Sequence, residues 1–215
     1  MNARKVALLR IGLAAFFLLF AIPLLGPTAS AGAMPQTIKS GEVLRGRFIQ
    51  DRQLAGFARP LRSEGTFALI PGRGLIWRAR TPFQNTTVIT PDGILQLANG
   101  QEAMRLPAAR LPGLGQLYEV LGGAVSGDIA PLAHIFVVKR GVDINGWQLV
   151  LTPLHPDNSG MSQIKSLTVS GRQFVDAVVV DKDGGDIDRL SFLDQVVTAT
   201  SPTPEENSLL EALRK

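Results

Sequence analysis

Short apolar runs separated by Gly, Pro, Asp and Asn recur at intervals of about ten residues, and this rhythm constrains the fold more than any other feature of the chain. The first runs occupy residues 46–50, 65–70, 75–79 and 86–90. Pro91-Asp92-Gly93 then reads as a tight turn into Ile94-Leu95-Gln96-Leu97, and Asn99-Gly100 as the next hairpin turn. Later runs follow at 147–152, 164–169, 174–180 and 187–193, with Asp183-Gly184-Gly185-Asp186 before the last. Connections this short suit an antiparallel meander, because parallel strands need helical crossovers of a dozen residues or more.

The period changes in the middle. Leu111, Leu114, Leu117, Tyr118, Leu121 and Val125 recur at three and four residues, which is one face of an amphipathic helix. Asp128 can cap a second short helix, with Pro131 in its first turn and Leu132, Ile135 and Phe136 on one face. Gly113, Gly115, Gly122, Gly123 and Gly127 weaken this insert at about 1 kcal/mol per interior glycine, so it suits a movable cover better than a pillar. At the other end, Thr203-Pro204-Glu205-Glu206 is a capping box that starts a short helix through Leu209, Leu210 and Leu213.

The architecture expected is therefore mainly β with some α: one curved antiparallel sheet with helices on one face. Many strands carry apolar residues on both sides, as in Phe48 beside Ile49, Leu75 beside Ile76, and Val178-Val179-Val180. The face that helices leave uncovered would line a cavity or meet a second layer.

The first thirty residues stand apart. Arg4, Lys5 and Arg10 flank an almost wholly apolar stretch, 11–25, and Ala29-Ser30-Ala31 offers a small-x-small cleavage site. The pattern predicts a signal peptide over 1–31, a folded domain over 32–200, a helical tail over 201–215, and a periplasmic location. Cleavage after Ala33 fits as well. The apolar stretch falls short of the ~20 residues that a spanning helix needs. Removing its three basic residues from the total of 22 leaves 19 against 18 acidic ones, so the formal +4 falls to +1. A nucleic-acid footprint disappears with the leader.

Catalytic patterns are missing. With no cysteine there is no disulfide framework, no thiol nucleophile and no Cys-based metal site. No G-x-S-x-G elbow, H-E-x-x-H pair or phosphate-binding G-x-x-x-x-G-K-[ST] loop occurs. His134 sits among apolar residues and His155 in a proline-flanked loop. Asp181, Asp183, Asp186 and Asp188 surround Gly184-Gly185, but their spacing is that of a β-turn and not of a calcium loop. The reading is a binding protein without enzymatic activity, cofactor or metal.

Several segments carry a resemblance. Arg47-Phe48-Ile49-Gln50-Asp51-Arg52, then residues 60–67, Gly74-Leu75-Ile76-Trp77 and Thr81-Pro82 resemble the opening of LolA-like periplasmic lipoprotein carriers. The run Trp147-Gln148-Leu149-Val150-Leu151-Thr152-Pro153 is similar to that family's W-x-L-x-L-x-P strand, and Gly184-Gly185-Asp186 with Leu190-Ser191-Phe192 to its penultimate hairpin. Where the family places an arginine before the proline upstream of the tryptophan, this chain reads Ile70-Pro71-Gly72-Arg73. The resemblance implies a curved antiparallel half-barrel of the LolA/LolB kind, with helices covering the concave face over an apolar cavity. It further implies a monomeric chaperone that takes the acyl chains of a lipoprotein from an inner-membrane ABC transporter and passes them to an outer-membrane receptor. Another lipid or acylated product bound for a dedicated exporter, or an envelope adaptor with a filled interior, are the alternatives. The lining expected from the sheet is Phe48, Phe67, Leu69, Ile76, Trp77, Val88 and Ile94. Leu114, Leu117, Tyr118, Leu121, Leu132 and Phe136 would supply the lid.

Overall fold

The computed structural model describes residues 36–110, 131–143, 146–155 and 163–214. The predicted leader, the predicted helix at 111–125 and its residues Leu114, Leu117, Tyr118 and Leu121 lie outside them. Eleven strands form one antiparallel sheet: β1 (Val43–Gln53), β2 (Leu61–Ile70), β3 (Gly74–Thr81), β4 (Asn85–Thr90), β5 (Gly93–Ala98), β6 (Gln101–Pro107), β7 (Phe136–Asp143), β8 (Gly146–Pro153), β9 (Ile164–Gly171), β10 (Val175–Lys182) and β11 (Ile187–Thr198). A single α-helix among the described residues, α1 (Pro204–Glu211), follows them. No described helix is long and apolar enough to cross a membrane.

The strand order is β6-β5-β4-β3-β2-β1-β11-β10-β9-β8-β7. The chain thus enters in the middle, meanders outward to one edge, and resumes at the opposite edge to meander back until β11 pairs with β1. Local chemistry sets the hairpins. Asn99 (φ 51°) and Gly100 (φ 79°) both occupy the left-handed region that a two-residue turn needs when it must match strand twist. Between Arg45 and Arg47, β11 carries an extra residue opposite β1, and Asp194 (φ 51°) in that bulge accepts from the Arg47 guanidinium.

Two strands lack the expected pattern, and both are edges. Gln101–Pro107 is almost wholly exposed, and Phe136–Asp143 carries Lys139, Arg140 and Gly141. Charge on an edge strand discourages pairing with other chains and erases the apolar alternation by which strands are recognised. The helix expected after Asp128 is also corrected. Its described part is one 3-10 turn, Pro131–His134, after which Leu154 donates its N–H to Ile135 and Phe136 already opens β7. A β-branched and aromatic sequence, Ile-Phe-Val-Val, favours the extended state once a neighbouring strand is available.

The described helix α1 packs on the face of the sheet opposite Trp77. Leu210, with Leu209, Ala212 and Leu213, covers Val43, Ala68, Ile70, Ile76, Val88 and Leu95. Thr203 accepts from the Glu206 N–H while the Glu206 carboxylate accepts from the Thr203 N–H, which is the predicted capping box.

Candidate apolar binding face

Side chains two residues apart share a sheet face, so the pairing register sorts every strand residue into one of two sets. The first set is the core beneath α1. It is held by four arginines as well as by packing. Arg45 grips Glu206 through Nε to Oε1 (3.1 Å) and Nη2 to Oε2 (2.7 Å). Arg73 Nη1 donates to Asn207 Oδ1 (2.6 Å), Arg78 to Glu205 (3.0 Å) and Arg105 to the Ala212 carbonyl (2.6 Å). Arg73, the arginine nearest the family's proline motif, therefore serves the C-terminal helix. Burial, the largest influence on Glu206, opposes its ionisation, but hydrogen bonds from Arg45 and the Thr203 backbone outweigh it and hold the carboxyl below its usual value.

The second set is the opposite face, and a continuous apolar row crosses it from β6 to β11. Leu106, Ile94, Ile89, Leu75, Leu69, Leu44 and Val197 are successive cross-strand neighbours, one from each of β6, β5, β4, β3, β2, β1 and β11. The neighbouring rows carry the aromatic residues. Phe48 stacks on Trp77 with ring centroids 3.7 Å apart and planes at 24°. Phe192 meets Phe67 and Trp77 edge-on at 5.3 and 6.1 Å. Glycines make room for these rings: a Cβ on Gly46 would stand 2.8 Å from Phe67, and one on Gly65 would stand 2.8 Å from Phe48 and 1.9 Å from the Arg78 carbonyl oxygen. Such aromatic pairs are worth about 0.5–1.5 kcal/mol each beyond the area they bury.

The face continues through the second meander. Leu190, Val178, Val169 and Leu149 form one row across β11 to β8; Val180, Leu167, Leu151 and Val138 form the next, from β10 to β7. Leu132, Ile135 and Phe136 pack on this half as the chain enters β7. Many of these side chains are only half buried, among them Leu75, Trp77, Ile89, Ile94, Leu106, Leu167, Val178, Leu190 and Phe192. An open cleft of about 450 Å³ lies beside Phe192, framed by Arg172, Phe174, Asp176, Asp194 and Gln195.

Polar groups gather at one end of the face, where β1 leads into its loop and β11 begins. Asp188, 6% exposed, accepts from Arg52 Nε (2.7 Å) and Lys182 Nζ (2.6 Å). Beside them Ser63 donates to Gln50 at 3.4 Å. Burial is again the largest influence and disfavours the Asp188 carboxylate, but the hydrogen bonds from Lys182 and Arg52 hold its pKa below the usual value. Of the other aspartates around this turn, Asp186 accepts from the Ala55 N–H and Asp181 from Ser166.

The structure brings Phe48, Phe67, Leu69, Trp77 and Ile94 together on this face, with Leu132 and Phe136 on its far half. It sets Ile76 and Val88 apart, fully buried under α1. Leu44, Leu75, Ile89, Leu106, Leu190 and Phe192 belong to the face without having been singled out. Parity would have found them: with Trp77 as anchor, Leu75 shares its face and Ile76 does not.

Solved structures that the chain matches include the LolA superfamily protein NE2245 from Nitrosomonas europaea, at 11% identity over 79% of this chain and 90% of that one, with a TM-score of 0.42. MucB of the Pseudomonas aeruginosa MucA/MucB complex matches at 11% identity over 77% of this chain and 55% of that one, TM-score 0.45. An outer membrane lipoprotein-sorting protein domain from Vibrio parahaemolyticus matches at 10% identity over 83% and 94%, TM-score 0.42. No curated protein matches the chain. The family described as outer membrane lipoprotein carrier protein, LolA-like, matches residues 28–189, well over half of the chain, and the protein belongs to that family.

Proposed function

We propose that the protein is a non-enzymatic periplasmic carrier that shields acyl chains, those of lipoproteins foremost, between an inner-membrane ABC transporter and an outer-membrane receptor. The observation that carries this reading is the apolar face running from β6 to β11, half buried on β3 to β6 and on β11 and buried with Ile38 on β1 and β2, in a member of a carrier family. Contact with this face removes hydrocarbon from water at about 0.8 kcal/mol per buried CH₂, so a chain of ten to sixteen carbons gains on the order of 8–13 kcal/mol before the cost of ordering it. Leu114, Leu117, Tyr118 and Leu121 would cover the bound chains from the segment between β6 and β7. Release follows if the loaded and empty states differ by only a few kcal/mol, since a ligand shifts an equilibrium no further than its differential affinity allows.

Native mass spectrometry of protein exported by a host and purified from its periplasm tests the reading. A co-purifying lipoprotein or diacyl species, displaced by a fluorescent fatty acid, is the expected result. Protein that carries no acyl ligand and takes up no probe refutes it, and a bound pigment or free glycerolipid would replace lipoprotein as the cargo.

A further inference from the structure

The carrier reading concerns hydrocarbon alone, yet the apolar face ends in a charged group. Arg52, Asp188 and Lys182 lie on the same side as Phe48 and Phe192: Arg52 stands two positions beyond Gln50 and four beyond Phe48, and Asp188 pairs directly with it across β1 and β11. Val180, the other cross-strand neighbour of Asp188, belongs to the apolar row. Two cations share one carboxylate, so the cluster holds a net charge of about +1 at neutral pH. Arg52 uses only Nε on Asp188; its Nη1 and Nη2 make no hydrogen bond to another described residue, and its side chain is 46% exposed. Lys182 remains 26% exposed. Asp188 therefore acts as the fixed post that aims both cations across the end of the face. A guanidinium with two unused donors and a neighbouring ammonium suit an oxyanion.

Resting on the carrier reading for its shielding of acyl chains and not for lipoprotein as the cargo, we propose that Arg52 and Lys182, aimed by Asp188, form a headgroup subsite that selects acyl ligands with an anionic carboxylate or phosphate head. Chains lie along Leu190, Val178 and Phe192, and the head meets Arg52 Nη1 and Nη2 together with Lys182 Nζ. Gln50 and Ser63 supply neutral hydrogen bonds beside it. Such a subsite fixes which way round the ligand lies and excludes ligands whose head is cationic.

Decanoate and 1-decanol, equal in chain length and opposite in head charge, separate this proposal from the carrier reading. Binding to the exported, purified protein is followed by displacement of a fluorescent fatty-alcohol probe at pH 8. The expected result is decanoate binding about five-fold or more tighter than decanol at low salt, with the ratio shrinking as ionic strength rises. Lys182→Gln and Arg52→Gln each bring the ratio toward one. Asp188→Asn leaves the cations without their counter-charge and widens it, a direction that a merely damaged fold would not produce. Equal affinity of the wild-type protein for the two ligands overturns the subsite and leaves the carrier reading intact. Failure of both ligands to bind overturns both. Inorganic phosphate or acetate that competes with decanoate at its own concentration would reassign the cluster to free anions and refute the lipid-headgroup proposal.

Discussion

Val88 and Ile89 are adjacent in β4, both β-branched, and assigned to opposite faces by the register, so exchanging them one at a time tests the division of the sheet. Val88 is fully buried against Ile76, Leu95 and Leu210. Val88→Ala removes two methyl groups, about 1.6 kcal/mol at 0.8 kcal/mol each, and the cavity left under α1 brings the cost to about 2–3 kcal/mol. Ile89 is half buried in the apolar row between Leu75 and Ile94. Ile89→Thr keeps the β-branch and places a hydroxyl on the face, so it costs only about 1 kcal/mol of stability. Its effect falls on ligand: a chain lying across the row meets a polar atom, and affinity for a fluorescent fatty acid drops about five-fold. Urea unfolding followed by tryptophan fluorescence gives the stabilities, and probe titration of the folded variants gives the affinities. Val88→Ala should leave probe affinity within a factor of two or so, while Ile89→Thr lowers it at smaller cost in stability. Equal loss of probe binding in both variants, or greater destabilisation by Ile89→Thr, would refute the assignment of faces.

Glu206→Gln removes the charge that Arg45 grips, and should cost about 1–3 kcal/mol in urea unfolding, with α1 released first. Because Glu206 and Asp188 both have depressed pKa values in the folded chain, their contribution is present above the unfolded carboxyl value of about 4 and is lost as pH falls through the lower folded values. The urea midpoint should therefore hold steady from neutral pH to about 5 and decline below it, and Glu206→Gln should reduce that decline. Gly65→Ala drives a Cβ to 1.9 Å from the Arg78 carbonyl oxygen and should cost more than about 3 kcal/mol or abolish soluble expression. Gly72→Ala meets open space but keeps φ at 72°, and should cost about 1 kcal/mol in the same assay.

The meander was legible because hairpin chemistry is local. Asn99-Gly100, Asp183-Gly184-Gly185-Asp186 and the capping box at Thr203 each state their geometry within four residues. The strand order was not, because β1 meets β11 across some 140 residues of chain, and the entropy of closing so long a loop is repaid by contacts that no window of sequence displays. The edge strands β6 and β7 were hidden for a different reason. Their charges answer to the absence of a neighbour on one side, a property of position in the sheet and not of strand formation.

Apolar residues on both sides of β2 to β5 had two explanations, a cavity or a second layer, and the structure supplies the second for one face through α1. That is why Ile76 and Val88 read like lining: a residue under a helix and a residue facing acyl chains are selected by the same hydrophobicity, and alternation vanishes when both faces are dry. Only parity separates them. Trp77 cannot sit under α1 while its neighbour Ile76 does, so one anchored residue orders the strand and, through the register, the sheet. The same parity reinterprets the aspartate cluster. Asp183 and Asp186 belong to the turn, but Asp188 lies one pleat inside β11 on the apolar face, where a buried carboxylate is unfavourable unless cations attend it. The presence of two cations where charge neutrality needs one is what turns a structural ion pair into a site with capacity for an anion.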